Sequence, residues 1–275
     1  MKNRFFNLTT LSILFVITLA FNNISCNKDE SDKDQLAAQN NSDAENAFSD
    51  VFKQIDIVSK DTTLGVLGTI NISCATVTMS PVGLTYPKTI TIDYGTTNCE
   101  GTDGRFRRGK IIAVTTGKYK DSLTSVTITF DNYFLNDNKV FGTKTITNKG
   151  RNTLGNMFWT IKVENAGVIT EKGTISWNSV RSREWIAGEN TLNNYFDDVY
   201  SITGNGSGVT TDGNSFVITI TKALKASLSC MWLTSGTVEI TPQGLSTRII
   251  DFGNGTCDRE ATVLINDETY NIVLK

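Results

Sequence analysis

The chain has 275 residues, 39% of them apolar and 20% charged, with 22 Gly, only 3 Pro and no histidine. That is enough for one large or two small globular domains with a real core, while the missing histidine removes the commonest general base, the Ser/His and Cys/His pairs, and the usual zinc, copper and haem ligands. Lys and Arg number 26 against 28 Asp and Glu, a formal charge of -2 without a long basic run, so no nucleic-acid partner is expected.

In chain order, Lys2 and Arg4 precede the apolar run Leu11–Phe21. Its 11 residues are too few for the roughly 20 that span a bilayer and suit the apolar part of an export signal. Asn22-Asn23-Ile24-Ser25-Cys26 follows and resembles the lipobox of bacterial lipoproteins, with Asn23 where leucine is usual. The resemblance implies cleavage before Cys26, acylation of that cysteine and attachment to the outer membrane through its acyl chains. Five cysteines is an odd number for an exported chain; lipidating Cys26 leaves four to pair in an oxidising compartment. Asn27-Lys28-Asp29-Glu30-Ser31-Asp32 resembles the short acidic signal that carries lipoproteins of Bacteroidota-type bacteria to the cell surface, and it also reads as a solvated tether. Removing residues 1–25 discards Lys2 and Arg4 and no acid, so the mature net charge is -4 and nothing draws the chain to anionic lipid.

Ser42 and Glu45 make a capping box, and Ala44, Ala47, Phe48, Val51, Phe52, Ile55 and Val58 recur at three- and four-residue spacing, the stripe of an amphipathic helix docked on the body. From Thr69 the period becomes two. The segments 69–79, 88–94, 126–130, 139–147, 157–163, 168–177, 215–221, 238–241 and 260–265 are rich in Thr, Val, Ile and aromatics and bounded by Gly, Asn and Asp, which reads as strands. The 39 threonines suit antiparallel strands with one solvated face. The expected fold is all-β, a large antiparallel sheet or a sandwich preceded by one helix. The division is a signal peptide over 1–25, a lipidated tether over 26–41, the helix over 42–60 and the β-domain over 61–275, with room for two related halves sharing a sheet.

The β-region contains an echo. Pro81-Val82-Gly83-Leu84 leads to Ile92-Asp93-Tyr94-Gly95 and Cys99, and Pro242-Gln243-Gly244-Leu245 leads to Ile250-Asp251-Phe252-Gly253 and Cys257. Each copy has an earlier cysteine, Cys74 or Cys230, within an expected strand. If the Pro-Gly segments are hairpin turns, the cysteines of each copy lie opposite one another, so we expect Cys74 bonded to Cys99 and Cys230 to Cys257, a duplicated disulfide hairpin.

Three stretches invite a functional reading. The loop Asp251–Asp258 and its partner Asp93–Asp103 resemble calcium loops in composition but lack the alternating acidic spacing; Gly95, Gly253 and Gly255 at positive φ with Asp93 and Asp251 capping the turns account for the same residues. Gly104-Arg105-Phe106-Arg107-Arg108-Gly109-Lys110 is the only basic cluster, suited to an acidic glycan or to an exposed hairpin loop with Arg stems over apolar surface. Trp177, Arg181, Arg183 and Trp185, followed by Tyr195, form the candidate ligand-binding stretch, because exposed rings beside polar groups stack on sugars. Tryptophan is also usually buried. Asp197 and Asp198 are adjacent, which on a strand points them to opposite faces. No nucleophile elbow, phosphate loop or Cys-x-x-Cys occurs, and we assign no catalytic residue, metal ligand or cofactor.

Taken together, the signal with Cys26, the acidic tether, the helix, the threonine-rich β-body and the two Ile-Asp-aromatic-Gly-x-x-x-Cys units resemble the outer-membrane lipoproteins of Bacteroidota. The resemblance implies a lipid-anchored envelope protein at the cell surface and carries no activity with it. The expected function is non-catalytic, a binding or structural module for polysaccharide or protein partners. The alternatives are a carboxylate-based glycoside hydrolase, which needs no histidine, and a periplasm-facing scaffold or lipid carrier.

Overall fold

A computed structural model describes residues 32–60, 67–191 and 194–274, apart from the side chains of Lys60 and Tyr195. The export signal, Cys26 and residues 27–31 therefore lie outside the described residues. One helix, α1 (Leu36–Lys60), precedes the strands β1 (Thr69–Ile72), β2 (Ala75–Ser80), β3 (Lys88–Asp93), β4 (Cys99–Glu100), β5 (Phe106–Thr115), β6 (Ser125–Leu135), β7 (Asn138–Arg151), β8 (Met157–Thr170), β9 (Gly173–Ala187), β10 (Val199–Val209), β11 (Ser215–Ser227), β12 (Leu233–Pro242), β13 (Arg248–Asn254), β14 (Glu260–Ile265) and β15 (Glu268–Val273). All belong to one antiparallel sheet that follows chain order, except that β3 pairs directly with β5 while short β4 pairs beside it, Cys99 opposite Arg107. The fold is all-β as expected, a single sheet rather than a sandwich.

The sheet curls around α1. Hydrogen bonds and ring contacts reach the helix from β5, β6, β7, β9, β10 and β13, so strands from almost the whole width of the sheet face one rod, which a flat sheet could not arrange. Among the described residues no ladder joins β1 to β15, so the curl is open at its two short edge strands. Period-2 alternation selects the inner face: in β9 Ile175, Trp177, Ser179, Arg181, Arg183 and Trp185 are all buried against the helix side.

The helix begins at Leu36, not at residue 42, because its N-cap is Asp34, whose Oδ1 accepts the Leu36 N–H at 2.8 Å. The first turns are then fixed by packing, with Ala37, Ala38 and Asn41 buried. Ser42 is consequently interior to the helix and buried, and Glu45 pairs with Arg181 rather than closing a capping box. The span expected to be a tether up to residue 41 is docked from Asp32 onward, since the Arg248 guanidinium donates to Asp32 Oδ1 at 2.6 Å.

Two expected strands are each two strands. The run 69–79 breaks at Ser73-Cys74, with Ser73 at φ 53°, and the run 168–177 breaks between β8 and β9. The glycine-rich strand β10 was not anticipated. Its glycines are required by close approach: a Cβ on Gly208 would lie 2.6 Å from the Ser176 carbonyl oxygen of β9 and 2.3 Å from the Phe216 ring of β11.

The disulfides are Cys74–Cys99 and Cys230–Cys257, the pairing expected from the echo. The four cysteines do not lie in facing strands. Cys74 sits in the β1–β2 turn and Cys230 in the β11–β12 loop, so each bond closes the open end of a hairpin, β2–β3 or β12–β13. Asp93 and Asp251 act in matching ways, each accepting the N–H two residues on, from Gly95 or Gly253, which accounts for both loops as turn chemistry. The bonds span 25 and 27 residues. Replacing Cys74 and Cys99 together by serine is expected to lower stability by about 3–4 kcal/mol in the chain-entropy description, read by urea unfolding, and an unchanged midpoint would contradict this.

Candidate functional site

No residue of the helix with a described side chain is exposed and most are buried, so the sheet must satisfy much of its polar face. Asp50, 1% exposed, is the centre of this arrangement. Its Oδ1 accepts from Arg105 Nη1 at 3.2 Å and Arg107 Nη2 at 2.5 Å, and its Oδ2 accepts from Arg107 Nε at 3.1 Å and the Tyr133 hydroxyl at 3.2 Å. Asp103 takes the remaining donors of Arg107 at 2.9 and 2.5 Å. Arg105 and Arg107 both point inward because they share the parity of Ile111 and Ala113 along one extended segment. The basic cluster is therefore not an exposed loop: two of its arginines are buried ion-pair partners, while Arg108 lies outward over the Phe134 ring at 3.8 Å.

The same logic disposes of the aromatic stretch as an exposed sugar platform. Trp177, Arg181, Arg183 and Trp185 are 2%, 4%, 1% and 3% exposed, all on the inner face of β9. Trp177 stacks on Phe48 of α1 at 5.3 Å and donates to Asn41 Oδ1 at 3.0 Å. Arg181 donates to Glu45 Oε2 at 2.9 Å. The Arg183 guanidinium lies 3.6 Å from the Phe52 ring centre and donates to the Tyr119 hydroxyl, and Trp185 stacks on Tyr200. Trp177, Arg181 and Arg183 touch the helix directly, and Trp185 packs beside them on the same inner face. Tyr195 opens a short 3-10 turn, Tyr195–Asp197, and its side chain lies outside the described residues. Asp197 is exposed and accepts from Thr191, whereas Asp198 is buried.

Burial shapes the titration of two interior lysines. Lys53 donates to the Cys230 carbonyl, and burial together with the nearby Arg105 charge lowers its pKa to about 8. Lys144 donates to the Phe48 carbonyl at 2.7 Å, and burial together with Arg183 lowers its pKa to about 7. Burial pushes the Tyr94 and Tyr133 phenols up, reinforced by the Asp50 carboxylate beside both. Burial also opposes ionisation of Asp103, but its bonds from Arg107 hold it below the ordinary carboxylate range.

Two cavities flank this cluster, and Arg105 lines both. One, of about 330 Å³, lies between Lys53, Tyr94, Arg107 and the two disulfides, with Cys74 and Cys230 both in its wall. The echoed hairpins thus converge on one space. The other, of about 730 Å³, runs beside the N-terminal half of α1 between Gln39, Asn46, Asn136, Asn138 and Trp232, and reaches the surface at exposed Glu171, Lys172 and Arg259. Asn46, Arg105 and Trp232 contribute to its lining, while their Nδ2, Nη2 and Nε1 atoms are enclosed by protein and have no acceptor among the described residues. Among the described residues no group of three or more His, Cys, Asp and Glu is placed to hold a metal ion. The sequence left Asn46, Asp50, Lys53 and Trp232 unremarked, and named Asp103 only as the end of a loop with calcium-like composition. Strand parity was the available signal for the inward arginines, whereas nothing local marks Trp232.

Two outcomes are expected. Asp50→Asn leaves Arg105 and Arg107 buried without their shared charge and is expected to cost about 3–5 kcal/mol, measured by chemical denaturation. Because Lys53 and Lys144 titrate below the 10.5 of an unfolded lysine, the unfolded chain binds more protons between about pH 7 and 10.5 and stability rises with pH across that window. Raised phenol pKa values reverse the slope only above about pH 10. The melting temperature is therefore expected to climb from pH 7 towards pH 10, about 2–4 °C for each kcal/mol, and Lys144→Met is expected to flatten the climb.

Comparison with protein-family models, with curated proteins and with solved structures finds no match to this chain.

Proposed function

We propose that the mature chain is a lipid-anchored envelope protein, held in the outer membrane by acyl chains on Cys26 and displayed at the cell surface, whose curled sheet is a non-catalytic binding module for a polysaccharide or protein partner. The observation that supports a binding role is the cavity of about 730 Å³ beside α1, a size within the ~300–1,000 Å³ of ligand pockets.

The same interior argues against a lipid carrier and takes two carboxylates out of a hydrolytic role. The space under the sheet holds a helix and charged pairs, an environment hostile to an acyl chain. The Asp50 and Asp103 carboxylates spend their oxygens on arginine, so neither has the freedom of a hydrolytic acid or nucleophile.

Adding proteinase to intact cells tests display. The mature protein is expected to disappear while a periplasmic lipoprotein survives. Survival in intact cells combined with cleavage in lysed cells would overturn surface display and turn the chain inward.

A further inference from the structure

We infer that the cavity of about 730 Å³ beside the N-terminal half of α1 is a subsite for a neutral oligosaccharide, whose hydroxyls bond to Gln39, Asn40, Asn46 and Asn138 and whose ring lies against Trp232. The inference rests on the binding-module reading above and specifies its ligand.

The first argument is the kind of hydrogen bond that the lining leaves open. Asn40 and Asn46 are each 5% exposed, and both line this cavity. Asn40 spends its Oδ1 on the Thr211 N–H at 2.9 Å, which fixes the amide and leaves Nδ2 without an acceptor among the described residues. Gln39 spends Nε2 on Asp43 at 2.9 Å and keeps Oε1. Asn46 keeps Oδ1, and Asn138, which shares the inward parity of Val140 in β7, makes no side-chain hydrogen bond among the described residues. None of these five atoms belongs to the unpaired polar atoms that the protein encloses, so each is open to a small molecule. The open set mixes donors, Asn40 Nδ2 and Asn138 Nδ2, with acceptors, Gln39 Oε1, Asn46 Oδ1 and Asn138 Oδ1. A sugar hydroxyl both donates and accepts and matches such a set, whereas a carboxylate only accepts and an ammonium only donates.

Charge points the same way. The wall holds four acids, Asp43, Asp103, Asp137 and Glu171, against three bases, Arg105, Lys172 and Arg259. Asp43, Asp103 and Asp137 are already bonded to Gln39, Arg107 and Arg108, and Arg105 to Asp50, while Glu171, Lys172 and Arg259 are exposed at the mouth. Neither a cation nor an anion finds a free counter-charge inside. The apolar part of the wall completes the match. Trp232 has its Nε1 enclosed, so its indole offers ring carbon, beside buried Val140 and Val168. A sugar ring can lay its C–H face on such carbon while its rim of hydroxyls reaches the amides. An extended peptide also carries donors and acceptors, but it pairs with a free strand edge, and the strands that line this wall, β6, β7 and β8, are paired on both sides.

The test uses the purified mature protein in calorimetry with trimers of α-linked glucose, β-linked glucose, mannose and galactose, a galacturonate trimer, and an uncharged blocked serine tripeptide. At least one neutral trimer is expected to bind about tenfold or more tightly than the galacturonate trimer and the peptide, with an affinity unmoved by raising the salt, because no charge pair forms. Its binding is expected to change the tryptophan fluorescence, and Trp232→Phe to abolish that change. Asn138→Ala removes no hydrogen bond of the fold, so its melting temperature is expected to match the parent while binding weakens by about two- to tenfold, the loss of one neutral hydrogen bond. Binding by no neutral trimer, binding that ignores both Asn138→Ala and Trp232→Phe, or a galacturonate trimer or peptide that binds as tightly as the best neutral trimer would each overturn the inference. In the last case the binding-module reading stands and its ligand is of another class. Surface display is read separately by proteinase on intact cells.

Discussion

The structure depends on one requirement: Asp50, a buried carboxylate in the middle of a helix packed under the sheet, must find its hydrogen bonds in the sheet. Asp50 meets it by drawing Arg105, Arg107 and Tyr133 onto its two oxygens. The same demand repeats before and along the helix, with Asp32 in the segment leading into it answered by Arg248, Asn41 by Trp177, Glu45 by Arg181 and the Phe48 carbonyl by Lys144. These partners come from strands spread across the sheet, so satisfying the helix and curling the sheet are one event. Buried ion pairs are a weak source of net stability, because desolvation offsets much of the attraction. Their clear effect here is on arrangement, since a helix shifted by one turn would leave several charges buried alone.

That constraint explains which parts of the molecule were legible in the sequence. The all-β body, the single helix and both disulfides could be read because each leaves a local trace: period-2 threonine and valine runs, a three-to-four-residue stripe, and the repeated Ile-Asp-aromatic-Gly-x-x-x-Cys. The helix start was misplaced because Ser42 and Glu45 look like a cap, while the real anchor of the first turns is Arg248, more than 200 residues away. Two hairpin turns were hidden inside continuous strand-like runs, one at Ser73-Cys74. Strand β10 was hidden by Gly204, Gly206 and Gly208, whose purpose is close backbone approach to neighbouring strands.

The candidate site was less legible, and for a physical reason. Trp177, Arg181, Arg183 and Trp185 stand out in a linear reading because they alternate along one strand, and alternation is also what puts residues on an inner face. The sequence alone does not say whether that face meets water or a helix. Conversely, Asp50, Arg105 and Tyr133 lie far apart in the chain and meet only through closure of the sheet. The disulfides contribute to that closure by tying the hairpin ends that carry Arg105 and Trp232, so the most readable feature of the sequence supports the least readable one.

Native-state hydrogen exchange of the α1 amides tests the enclosed helix most directly. If the helix is the polar-bonded centre of the curl, amides from Ala44 to Val58 exchange only through global unfolding, with the same free energy as the central strands β8 and β9. Exchange of those amides at a much lower free energy while β8 and β9 remain protected would show that the helix leaves the sheet on its own, and would contradict the dependence of the fold on it.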